Sequence, residues 1–231
     1  MNWRRHPLVL RLRSRWIRWK SGTRIHCRGT GHTVDVSKAL LFGVTIEISG
    51  KGNELTIGRN TRIWGATIHL RGENLRCTIA NDCKLRHVVL VVEDNGSRLS
   101  IGQLTSGTGC TLLAGEGGVV QIGEDCMMSA GADIRNSDGH SVIDLATGQR
   151  INPAADVTVD NHAWIGLRVQ ILKGVNVGTH SIAAAGAVVV KDVPAHTIVV
   201  GIPAKPLRTG ISWERERLQI VDAPARVPMA S

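Results

Sequence analysis

The side chain best suited to proton chemistry near neutral pH is His140, in the stretch Ile134-Arg135-Asn136-Ser137-Asp138-Gly139-His140-Ser141-Val142. Imidazole titrates closer to physiological pH than any other ordinary side chain, so it can take up a proton and return it. A lone histidine is more often structural than functional, but this one has a marked position. Ile122, Met128 and Ile134 recur at six-residue intervals, and His140 falls where the next apolar residue is due. The period then vanishes from Ser141 to Asp156, through Thr147-Gly148-Gln149-Arg150 and Asn152-Pro153, and resumes at Val157. A titratable group at the point where a regular element breaks into an external loop reads as a site.

The element that must position it is written in the same period. Val159, Ile165, Ile171, Val177, Ala183 and Val189 are all apolar, and four residues after each come Ala163, Val169, Val175, Ser181, Ala187 and Val193, all small or β-branched. A strand has period two and a helix 3.6; a strict six is that of a triangular parallel β-helix, six residues per face and three faces per coil. A pair of sandwich strands would not hold one register through six hexads. Shorter runs precede it: Ile57 and Ile63 with Thr61 and Thr67, Ile79, Leu85 and Val91 with Cys83 and Val89, and Cys126 and Ala132 beside Met128 and Ile134. Residues from about Val34 to Val199 therefore predict one all-β solenoid of about eight coils, about 18 residues each. At the spacing of paired strands the prism would be about 40 Å long.

Composition fits a narrow interior: among 231 residues there are 26 glycines, one Phe and no Tyr. The five cysteines form no CxxC pair, and no secretory leader is evident, so reduced thiols in the cytoplasm are expected. No apolar run approaches membrane-spanning length. Residues 1–30 hold nine of the 28 Lys and Arg residues and no Asp or Glu, so the net charge of +9 resides in this arm. The solenoid is then neutral, with no continuing basic track for nucleic acid. On a helical wheel Leu8, Leu12, Trp16 and Trp19 share one side of the arm beside Arg4, Arg11, Arg15 and Arg18. Two readings stay open: contact with an anionic membrane surface, or a helix capping one end of the solenoid.

Asn161-His162-Ala163-Trp164-Ile165-Gly166, Ile171-Leu172-Lys173-Gly174-Val175, Ala185-Gly186-Ala187-Val188-Val189-Val190-Lys191-Asp192-Val193-Pro194 and Gly201-Ile202-Pro203-Ala204-Lys205 resemble the end of a hexapeptide-repeat acyltransferase. The nearest types are maltose and galactoside acetyltransferases and capsule or exopolysaccharide O-acetyltransferases. The resemblance is dense over residues 122–210 and thin upstream. It implies a left-handed parallel β-helix, acetyl-CoA as co-substrate with no metal, and a homotrimer whose groove between subunits holds the site.

The same resemblance implies roles for individual residues. His140 would be the base that takes the proton of a sugar hydroxyl, and the backbone amide of Leu167 would hold the oxyanion. Trp164 would wall the acceptor side, with Asn136, Asp138, Arg150 and Asp144 as further acceptor candidates. Ala185 would meet pantetheine through its backbone, while Lys191, Lys205 and Arg208 would meet the CoA phosphates. Val190 departs from the Thr that sugar acetyltransferases often carry, and no Asn and Asp of the galactoside type stand on the preceding coil, which speaks against a simple galactoside acceptor.

The resulting expectation is a sugar O-acetyltransferase of surface polysaccharide synthesis. Its alternatives are N-acylation of an amino sugar, a zinc enzyme of the γ-carbonic-anhydrase kind, for which His140 lacks a second histidine a few residues on and has only His162 beyond the loop, and a non-catalytic scaffold. The expected organisation is a basic arm over 1–30, the β-helix over 31–200 with an active-site loop at 141–156, a cap over 201–221, and a disordered tail over 222–231. Within the cap, Ser212 to Ile220 reads as a short helix, with Ser212 as N-cap and Glu214 and Glu216 in the first turn.

Overall fold

The computed structural model describes residues 21–219, so the Leu/Trp stripe of the basic arm and the tail from Ile220 lie outside the described residues. These residues form 24 strands in three sheets of eight, seven and nine strands, here called A, B and C. Up to Val188–Val189 successive strands go to the three sheets in turn, and pairing within each sheet is parallel until the last strand. The result is a three-sided β-solenoid of about eight turns.

Its interior is a set of apolar columns. On sheet A, Ile46, Ile68, Leu90, Leu112, Ile134, Ile171 and Val189 are register partners from coil to coil, each at most 1 % exposed. Sheet B stacks Ile57, Ile79, Ile101, Ile122, Val159 and Val177 in the same way. Burying each such side chain contributes about 1.5–3 kcal/mol, and within the sheets each coil pairs only with the coils before and after it. Cys77, Cys83, Cys110 and Cys126 belong to this core, and burial raises their thiols to about 11 or 12, which leaves them protonated and inert.

The six-residue period governs only the later coils. Register partners on sheet A stand 18 residues apart from Gln170 to Val188, but 22 apart along Thr45, Thr67, Val89, Thr111 and Asp133. Two local differences cause this. The early sheet A strands Thr45–Lys51 and Thr67–Glu73 have seven residues where Gln170–Ile171 has two. The corner from sheet C to sheet A is also one residue shorter: buried Leu85 is followed inward by Val88, whereas Ile165 is followed by Val169. Thr67 and Val91 are therefore half-buried and Val89 is 36 % exposed, against the inward placement expected for Thr67 and Val89 and for Val91 in its run.

The long sheet A strands bend at a ladder of glycines. Gly29, Gly50 and Gly72 are register partners with φ of 108°, 110° and 145°. A Cβ on Gly50 would lie 1.9 Å from the carbonyl oxygen of Gly72, and one on Gly29 equally close to that of Gly50. Only glycine satisfies both the backbone angle and the approach.

Both chain ends differ from expectation. Arg24–Thr30, placed by sequence in the arm, is the first strand of sheet A. At the other end Lys205–Thr209 turns back antiparallel against Thr197–Val200. No helix forms over 212–219. The chain instead runs as a strap down the corner between sheets B and C, because its carbonyls are drawn to histidine rings rather than to its own amides. His196 Nδ1 meets the Ile211 carbonyl at 3.1 Å, and Ser212, expected as an N-cap, has its hydroxyl 2.9 Å from His180 Nδ1. Trp213 stacks on His162 with centroids 4.3 Å apart and donates from Nε1 to the His162 carbonyl at 2.7 Å. Arg215 completes the strap on Asp125, Ser106 and Leu104.

Candidate active site

His140 lies on a 37-residue coil, between Asp133 and its register partner Gln170, and is exposed. The chain leaves sheet A after Arg135, makes a hairpin closed by the Ile143–Arg150 bridge, and rejoins sheet B at Val157. The excursion therefore projects from the corner between sheets A and B. Asp144 shapes its tip, with Oδ1 accepting from the amides of Ala146 and Thr147 and from the Thr147 hydroxyl.

Asn152 holds the base of the hairpin. Its Nδ2 donates to the His140 carbonyl at 2.8 Å and to Asp138 Oδ2 at 2.7 Å, while its Oδ1 accepts from the Val142 amide and from Arg150 Nε. The coils on either side fasten this unit. Glu116, one coil earlier, takes a two-pronged ion pair from Arg150 at 2.6 and 2.9 Å and accepts a hydrogen bond from Ser137 Oγ. Lys173, one coil later, binds Asp138 at 2.5 Å. His140 is thus set by its main chain, and its ring takes no hydrogen bond from the described residues.

The charges follow from these contacts. The Arg150 guanidinium, with the Ser137 hydroxyl, holds the Glu116 carboxyl at about 2, and the Lys173 ammonium with Asn152 keeps Asp138 below the usual carboxylate range. A carboxyl whose folded pKa is depressed supports the fold above its ordinary value, 4.5 for Glu116, and loses that support as pH falls toward 2. Hydrogen exchange at the Val142 and Ile151 amides, both bonded within the hairpin base, should therefore stay slow at neutral pH. Below about pH 4 it should accelerate before the core strands do. Simultaneous acceleration would show that Glu116 and Asp138 do not hold the loop.

The other sequence candidates divide into three places. Asn136 is fully buried, with its amide exchanging two hydrogen bonds with the backbone of Gly115 at 2.8 and 3.0 Å. It frames the loop rather than facing an open site. Arg150, through Glu116 and Asn152, is likewise committed to holding the loop. Asp138 remains 46 % exposed beside His140.

Leu167 and Ala185 stand one coil apart at the corner between sheets C and A, linked by the Gly186 amide donating to the Leu167 carbonyl. Both are exposed, and neither backbone amide has a hydrogen-bond partner among the described residues. Gly201 and Ala204 bond to Val188 just beyond, which brings Lys205 to the same end, with Arg208 further along that strand. Lys191 instead follows the last sheet A strand, toward sheet B.

Trp164 lies outward on sheet C, half-buried, its Nε1 3.4 Å from Ser129 Oγ and its ring 6.1 Å from Trp213. The A–B corner and face C are opposite parts of a triangular prism, so one chain does not bring His140 to Trp164. His162 stands at yet another corner, between B and C, held by Asp125 and Trp213. Among the described residues no three His, Cys, Asp or Glu side chains gather as a metal site within the chain.

No protein-family model matches the chain. It is 36% identical over 148 residues to a polysialic acid O-acetyltransferase of Neisseria meningitidis, covering 64% of this chain and 68% of that protein. The chain belongs to the hexapeptide-repeat acyltransferases. A second polysialic acid O-acetyltransferase, from Escherichia coli O1:K1 / APEC, is 34% identical over 126 residues, which is 54% of this chain but 41% of that longer protein. A crystal structure of a polysialic acid O-acetyltransferase superposes with a TM-score of 0.81 at 30% identity, over 84% of this chain and 93% of the other.

Set in this acyltransferase frame, the residues missed from sequence are those that hold the excursion and the strap. Glu116 and Lys173 lie 34 residues before Arg150 and 35 after Asp138, separations that mean nothing until coil lengths are known. Trp213 carried a legible signal, as an aromatic among polar residues near the chain end, but no sequence pattern names its partner.

Proposed function

We propose that this acyltransferase moves the acetyl group of acetyl-CoA to a sugar hydroxyl of an acidic surface polysaccharide, with His140 as general base. The observation that carries the reading is an exposed imidazole on a loop fastened to the coils before and after it. The relatives named as polysialic acid O-acetyltransferases support the acceptor class.

The chemistry needs a base because an alcohol does not ionise at neutral pH. His140 takes the hydroxyl proton as the sugar oxygen attacks the thioester carbonyl, and that carbon–oxygen π bond opens to an oxyanion. The unpartnered Leu167 amide suits the oxyanion, and that of Ala185 suits a pantetheine carbonyl. The oxyanion then re-forms the carbonyl and expels the thiolate, which recovers the proton from His140 as CoA–SH. Lys205 and Arg208, exposed and without a carboxylate partner among the described residues, suit the CoA phosphates. Lys191 lies away from that group and would reach a phosphate only on a second strand of the groove.

A homotrimer would complete the site, since His140 from the A–B corner of one copy can meet Trp164 and Leu167 only on another. The test is thiol release from acetyl-CoA with polysialic acid, a neutral dextran and an amino-sugar polymer as acceptors. Release with the acidic polymer and ester formation on it are expected; amide formation on the amino sugar in its place would redirect the reading to N-acylation.

A further inference from the structure

We infer that sheet C carries an extended binding track for an acidic polysaccharide, leading from Trp164 back along the solenoid to Arg62. The inference rests on the acceptor class proposed above and adds a second, distant place where the polymer is held.

Register makes the track. Trp164, Met127, Ser106, Lys84 and Arg62 are successive partners in one outward column of sheet C, and Arg86 and Trp64 are partners in the next. Strand spacing puts Lys84 about 14 Å and Arg62 about 19 Å from the level of Trp164. The sequence reading expects a neutral solenoid without a basic track; the first strand brings Arg24 and Arg28 into the solenoid, and the coil length of 22 residues gathers Arg62, Lys84 and Arg86 on one face.

Two features suit the column to binding. Arg62, Lys84 and Arg86 are exposed and make no ion pair among the described residues, whereas sheet B pairs Arg76 with Glu54 across coils. Arg86 is also held in place, its guanidinium 5.1 Å from the centroid of the Trp64 ring, whose other neighbour is Phe42, stacked at 5.8 Å. Fixing a cation before the ligand arrives lowers the ordering cost of binding. The column itself, through Arg62, Lys84 and Ser106, forms one wall of a groove of about 650 Å³ that runs past Asp82 to the Arg215 of the strap. Asp125, at its margin, is already engaged by Arg215 and His162.

The chemistry selects a chain of acidic sugars over nucleic acid. Carboxylates spaced along a polymer match the cations of two successive coils, Arg62 on one and Lys84 with Arg86 on the next. Single-stranded nucleic acid would want open aromatic faces for its bases, and Trp64 lies between Phe42 and Arg86.

The test measures retention of the full chain on immobilised polysialic acid, dextran and single-stranded DNA, with and without added salt. Wild type should bind the acidic polysaccharide alone and weaken as salt rises. Replacing Arg62, Lys84 and Arg86 together by Ala should weaken binding about tenfold, as three surface ion pairs of modest strength would. Arg98→Ala on sheet B should leave it unchanged. Unaltered binding by the triple variant, equal loss in Arg98→Ala, absence of polysaccharide binding, or preference for DNA would each overturn the track. Binding lost with the triple variant in a protein that never acetylates the polymer would keep the track and remove the proposed reaction instead.

Discussion

His140→Ala should lower acetyl transfer about 10²–10⁴-fold, the range a positioned general base contributes. The loss should appear in kcat with little change in KM for acetyl-CoA, because the groups suited to the cofactor stand at the C–A corner and the imidazole projects from the A–B corner. Stability should not change: the ring is exposed and the loop is held through the His140 carbonyl, which any residue supplies. Equal melting curves with turnover abolished would fit the base; turnover within twofold of wild type would remove His140 from the chemistry. The companion variant Asn152→Ala distinguishes the base from its mounting. It should raise hydrogen exchange at Val142 as well as reduce kcat, since Asn152 binds both the Val142 amide and the His140 carbonyl.

The largest effect on stability is expected far from the site. Gly50→Ala would place a methyl 1.9 Å from the Gly72 carbonyl oxygen, at a φ of 110° that alanine rarely adopts. Backbone strain of about 1–3 kcal/mol and overpacking of similar size add at one position. A loss of at least about 3 kcal/mol, or roughly 10 °C in Tm for a domain of this size, should follow in thermal melts. Gly43→Ala is the matched control, with φ of 61° and no atom within 4 Å of the added methyl, so only about 1 kcal/mol should be lost there. Similar losses for both would mean that backbone angle, not the stacked carbonyl, sets the demand for glycine.

These two positions mark what was readable in the chain and what was not. His140 stood out because a one-dimensional period failed at a single residue, and a failure of pattern needs no knowledge of the partner coil. The late coils were equally legible, since 18 residues per coil makes each hexad repeat the last. The early coils hide their length in sheet A strands of seven residues, so a six-residue period carried through them puts Val89 and Thr67 inward, where the fold leaves Val89 exposed and Thr67 half-buried. Contacts between coils depend on those lengths and so are not written in any one stretch of sequence: Glu116 with Arg150, Lys173 with Asp138, Lys84 between Arg62 and Ser106. The strap failed for a different reason. Ser212, Glu214 and Glu216 are honest helix-start signals, overruled by histidine rings that reach the site of the carbonyls from 15 and more residues away in sequence.

The strap also sets an order of events during synthesis. Each coil needs only its predecessor, so the solenoid can wind up as the chain leaves the ribosome. Arg215 reaches back to Asp125 and Ser106, 90 and 109 residues behind it. The B–C corner is therefore latched only after the coils it spans have been made, by residues that follow them in the chain. Until Trp213 and Arg215 have left the ribosome, their partners His162, Asp125 and Ser106 stand without them, and the B–C corner is an open seam.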